Sequence, residues 1–222
     1  MKKSRAEAFS DGVFAVAATL LVFNLIDPKV ARDLGPALIR EWPSYAAYAI
    51  SFSTIVVIWV NHHGIIDAID RFDRVLLFLN GLLLLTVAAI PFPTGLLAHY
   101  LEAGHDQNAA AVAYGLTMSS MSLVFSIFNL YARRYRIKMA PLDWVGFSLG
   151  LGLWPLATIS AFFSVPLALT LYAFVVLFYI ALPVTRERRA MAASSGVGGA
   201  PRLSHRDAAA TEARGRDLGD DA

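Results

Sequence analysis

The chain has 222 residues, 57% of them hydrophobic and 16% charged, where a soluble domain carries roughly 25% charged residues. It has no cysteine, which excludes a disulfide framework, a cysteine-ligated metal and a thiol nucleophile. The net charge of +2 and a pI of about 9.0 come from basic residues that flank long apolar runs. Membrane topology therefore accounts for them, and no nucleic-acid partner is expected.

Six apolar segments follow in order: 9–26, 44–62, 75–98, 109–131, 142–162 and 165–184. Each is about as long as the ~20 helical residues that cross a ~30 Å hydrocarbon core. They are too long and too evenly apolar for barrel strands. The fold expected is an all-α integral membrane protein with six transmembrane helices. The third segment contains AIPFPTGLL, whose prolines at 91 and 93 predict a bend near its outer end. GFSLG at 146–150 is a small-xxx-small pattern compatible with close helix packing. Only FSV separates the last two segments, so their turn is tight. From about Met191 the sequence is rich in Gly, Ala and mixed charge. This divides the chain into a membrane domain, 1–190, and a disordered cytoplasmic tail, 191–222.

Lys and Arg set the orientation. Sixteen of the nineteen lie on one side: before the first segment, at Arg71 and Arg74, between Arg133 and Lys138, and from Arg186 onward. Only Lys29, Arg32 and Arg40 lie on the other. Both termini are therefore expected in the cytoplasm, with the protein in the cell membrane. Asp11 within its start, and the lack of an A-x-A site at its end, argue against reading the first segment as a cleaved signal peptide. The RRYRIK loop is expected to meet anionic lipid.

Polar residues inside the spans are costly and call for partners. Asp11 lies six residues, about 9 Å, beyond Arg5 along the first helix. WVNHH at the end of the second segment brings Trp59, Asn61, His62 and His63 to the same level. Asn80 reaches it six residues past Arg74. Asp11, Ser10, His62 or His63, and Asn80 thus converge on one layer from three helices. That layer either fastens the helices or serves gating or proton sensing. Arg5 and Asp11 lie about 240° apart on the helix, so each is expected to bond to a neighbouring helix instead.

Adjacent histidines lack the i,i+4 spacing of paired helical metal ligands, and a third ligand would have to come from Asp11 or Asp67. No metal and no cofactor is expected. G-x-S-x-G, H-E-x-x-H and a P-loop are absent, and nothing points to an enzyme.

RAEAFSD at 5–11, followed by GVFAVAATLLVF, resembles the R-x-x-x-F-S-D signature that opens the first helix of the transmembrane protein 175 family. These are the endosomal and lysosomal potassium channels and their prokaryotic relatives. WVNHHGII and LLFLNGLLLLTVAAIPFPTGLL resemble the family's next two spans, so the resemblance covers about residues 4–184. It implies signature roles for Arg5, Phe9, Ser10 and Asp11. It also implies a homotetramer whose first helices line a central pore without the usual potassium-channel filter loop. This chain departs at Asn24, where relatives often carry an acidic residue, and at Val16, where they carry a bulkier aliphatic.

With Val16 at zero on a helical wheel, Gly12, Thr19, Leu20, Phe23 and Asp27 fall within about 60° of it. Taken alone, such a stripe is a packing face. The resemblance makes Val16, Leu20 and Phe23 the constriction, Thr19 a hydroxyl layer and Asp27 the pore mouth. The function implied is passive conduction of potassium and other monovalent cations through a hydrophobic gate. The alternative is a proton-coupled secondary transporter with Asp11 and His62 or His63 as a relay, although no internal repeat is visible.

Overall fold

The protein is described by a computed structural model over residues 3–25, 34–69, 72–135 and 141–197. All regular structure there is helical: α1 (Lys3–Leu20) tightens into a 3₁₀ turn (Leu21–Leu25), and a short α2 (Leu34–Arg40) precedes α3 (Trp42–Asp67). Two helices set end to end, α4 (Arg74–Ala89) and α5 (Pro91–Ala103), are followed by α6 (Gln107–Ala132), α7 (Pro141–Ser160) and α8 (Val165–Val197). Helices suit this composition because each satisfies its own backbone hydrogen bonds where no water is available.

Among the described residues, four stretches are long and apolar enough to cross a membrane: Lys3–Leu25, Trp42–Asp67, Arg74–Ala103 and Gln107–Ala132. Helices α7 and α8 stand where the fifth and sixth spans are expected. The apolar part of α8, Val165–Ala181, is shorter than the four. Asp27, Lys29, Arg32, Arg71, Arg136, Lys138 and residues 198–222 lie outside the described residues, and α8 takes in the first residues of the expected tail. Residues 1–182 form one compact unit that contains the core and the polar layer, and the end of α8 belongs to a second unit from Pro183 onward.

Local chemistry sets the helix ends. The Asp73 carboxylate accepts the Leu76 N–H at 2.7 Å, an N-cap for α4. Gly104, at φ 77°, ends α5 in the left-handed conformation that glycine adopts without strain. The prolines of the third span break it at Ile90, yet three more turns of helix follow as α5. Proline removes an N–H from the helical ladder. Here Ile90 N–H bonds instead to the Val87 carbonyl at 3.1 Å, and the Thr94 N–H and hydroxyl both bond to the Ile90 carbonyl.

The core gathers around α6, whose buried residues Ala111, Tyr114, Met118, Met121, Phe125, Phe128 and Ala132 recur every three or four positions. Leu76, Leu83 and Val87 of α4 and Phe14 and Leu21 of the first span close against the same core. Gly115 marks a close approach, because a Cβ there would run into Tyr172 and Thr158. The outer surface is strongly apolar, with Phe78, Leu85, Phe92, Leu130 and Leu177 among the exposed residues. Hydrocarbon, rather than water, suits such a surface.

Candidate functional site

Two faces of the first helix differ sharply. Ala6, Ser10, Phe14, Ala17 and Leu21 are buried, at the spacing of one helical face packed on α3 and α4. On the opposite face Val16, Leu20 and Phe23 keep 57%, 42% and 65% of their surface exposed, and Thr19 and Gly12 are exposed beside them. The 3₁₀ turn does not disturb this line. Three residues complete one such turn, so Phe23 returns to the azimuth of Leu20. Thr19 donates its hydroxyl proton to the Val16 carbonyl at 2.9 Å, which leaves the oxygen lone pairs directed outward as acceptors.

Asn24 turns the other way. Its Nδ2 donates to the Pro91 carbonyl at 3.0 Å, and Gly95 leaves room for the amide. This bond fastens the end of the first span to the break in the third. Arg5 and Phe9 fall within ~20° of Val16 on the wheel and are exposed. Among the described residues Arg5 pairs with no other side chain.

The polar layer is two sets rather than one. In the buried set, His62 Nε2 stands 2.7 Å from Asn80 Oδ1, Asn80 Nδ2 donates to Ser10 Oγ at 3.0 Å, and Ser10 Oγ donates to the Ala6 carbonyl at 2.8 Å. Each donation fixes the next. Asn80 Oδ1 can only accept, so His62 carries its proton on Nε2. The imidazole lies between the rings of Phe14 and Phe128, with centroids 5.3 and 5.4 Å away.

The second set lies closer to solvent. The Trp59 indole N–H donates to the Asp11 carboxylate at 2.8 Å. His63 faces Glu7 at 3.7 Å and Asp67 at 3.5 Å. Depth along the axis brings Asp11 and Ser10, or His62 and His63, to one level. The ~100° step between neighbours then sends one of each pair inward and the other to the flank.

Neither the approach of Glu7 to His63 nor the bond from Trp59 to Asp11 is assigned by sequence reasoning. The first needs the packing of α1 on α3 and leaves no local pattern. The second has a signal, since a Trp at the level of a carboxylate offers one N–H donor. Asp73 has a clearer one, standing just before an apolar run at a cap position. It also accepts the Tyr131 hydroxyl proton at 2.6 Å.

A helical bundle with membrane-length elements and a lipid-compatible surface is an integral membrane protein. The family model for the endosomal/lysosomal potassium channel TMEM175 matches residues 5–91. A curated potassium channel of Streptomyces collinus is 41% identical over 188 residues, 80% of this chain and 91% of that one. The crystal structure of a lysosomal potassium-selective channel TMEM175 homolog from Chamaesiphon minutus superimposes with a TM-score of 0.74 at 35% identity. That match covers 81% of this chain and 96% of the other. The endosomal/lysosomal proton channel TMEM175 of Gallus gallus is 29% identical over 180 residues, and the match spans 73% of this chain but 36% of the longer protein. The chain belongs to the TMEM175 family.

Proposed function

We propose that this protein is a potassium-permeable cation channel of the cell membrane. Four copies surround an axis lined by their first helices, with six spans per chain and both termini in the cytoplasm. One observation carries the reading: Val16, Thr19, Leu20 and Phe23 form an exposed line on a helix whose other face is packed. Within one chain this line encloses no path, so conduction requires a symmetric ring. The Streptomyces and Chamaesiphon relatives, both described as potassium channels, support potassium as the permeant ion.

Such a ring is apolar apart from Thr19. It cannot replace an ion's hydration shell as backbone carbonyls do, so it gates by wetting and drying and discriminates modestly between cations. The Thr19 oxygens supply one acceptor layer. Asp27, outside the described residues, is the candidate for a negative charge at the mouth, and the reading calls for no cofactor.

The relay alternative is not favoured. Asp11 bonds to Trp59, and neither His62 nor His63 is hydrogen-bonded to it. The His62–Asn80–Ser10 chain ends on a backbone carbonyl, as a structural clasp does. Proteoliposome flux tests the choice: passive, unsaturated potassium flux supports a channel, and saturable flux coupled to protons contradicts it.

A further inference from the structure

We propose that Glu7, His63 and Asp67 form a binding site for a divalent transition-metal ion of the zinc class, bridging α1 and α3. One ligand atom from each of the three lies within 4.8 Å of the others. His63 and Asp67 are spaced i,i+4 on α3, which sets both side chains on one helical face. Glu7 comes to them from α1.

The state of the imidazole points to a ligand. His63 Nδ1 is shielded from solvent and makes no hydrogen bond, and the nearest carboxylate oxygen, on Glu7, stands 3.7 Å away. That is too far for a hydrogen bond. Two donors held at ~2.0–2.2 Å from one tetrahedral zinc ion stand about 3.3–3.6 Å apart. The gap fits an ion between His63 Nδ1 and Glu7; Asp67 faces the other ring nitrogen, Nε2, at 3.5 Å and joins the same ion by turning its side chain.

Lys3 bonds to the Asp67 backbone carbonyl at 3.1 Å and not to a carboxylate of the three, and the Asp67 carboxylate faces His63 Nε2. The side chains of Glu7, His63 and Asp67 are 27%, 44% and 59% exposed, so an ion can enter and a water can take the fourth position. One imidazole with two carboxylates selects zinc and its neighbours over magnesium, which prefers oxygen ligands and retains its waters. The site is independent of what lines the pore.

The test is a zinc titration of the full-length chain in mild detergent, following the thermal unfolding midpoint and, by calorimetry, the stoichiometry, with magnesium as the control. A bound ion stabilises the folded state by mass action. The expected result is one zinc ion per chain and a raised midpoint, with no response to magnesium. His63→Ala and Glu7→Gln weaken the affinity at least about tenfold, Glu7→His restores it, and His105→Ala leaves it intact. Should His63→Ala fail to fold, Glu7→Gln and Glu7→His carry the comparison. Absence of a zinc response in the native chain, or undiminished affinity in Glu7→Gln, overturns the proposal.

Discussion

Trp59 holds Asp11: the indole N–H of α3 donates to the carboxylate of α1 at 2.8 Å. A hydrogen bond to an ionised acceptor contributes ~1.5–3 kcal/mol. Asp11→Ala and Trp59→Phe should each lower folding stability by about that much, and the double variant by clearly less than the sum. Thermal unfolding in detergent measures it, and strict additivity would show that the two groups do not act as a pair.

The buried clasp makes a sharper comparison. Asn80→Ala leaves the Nε2 proton of His62 without an acceptor and removes the donor to Ser10. The expected cost is about 1–3 kcal/mol. Asn61→Ala removes only a bond to the Val57 carbonyl of its own helix and should stay within ~0.5 kcal/mol. Equal effects at the two positions would contradict the assignment.

Gly115 tests the packing of α6 on its neighbours. Gly115→Ala forces a methyl group against Tyr172 and Thr158, and overpacking of this kind costs ~1–3 kcal/mol. Gly81, on α4, has open space around it. Gly81→Ala should be neutral or stabilising, because alanine favours the helix by up to ~1 kcal/mol. Circular dichroism melts of the two variants decide the point.

Assembly is the next expectation. Arg5 lies on the exposed line of α1 and pairs with no side chain of its own chain among the described residues. Native mass measurement should give four times the 24.1 kDa chain. Arg5→Ala should shift that population toward smaller species while the folded protomer remains. A native chain that is only monomeric in mild detergent would count against the ring.

Much of the fold is legible in the sequence. Helical content and the first four membrane-length segments follow from run length and apolar content, which the bilayer imposes directly. The convergence of Ser10, His62 and Asn80 follows from counting residues along three helices. Azimuth is harder. Counting gives depth but not the rotation of one helix against another, so it places Asp11 and Ser10 in one layer although they face different neighbours. The bend at the prolines and the helix running on to residue 98 are visible, but the way the break is satisfied is not. Ile90 N–H takes the Val87 carbonyl that Pro91 cannot bond, and the Thr94 hydroxyl adds a second bond to the Ile90 carbonyl. The pairing of Asn24 with Pro91 connects residues 67 positions apart and leaves no local trace.

The central claim concerns the exposed line of the first helix, and cation flux into proteoliposomes reaches it most directly. Val16→Asn and Leu20→Asn each place an amide in the apolar ring and make it easier to wet. The same change at Ala18, which packs against the chain's own core, is the control. If this line is the constriction, potassium flux rises severalfold in Val16→Asn and Leu20→Asn, preference for potassium over sodium falls, and the Ala18→Asn protein that folds shows neither change. Unaltered flux of both ions in Val16→Asn and Leu20→Asn would mean that the path runs elsewhere.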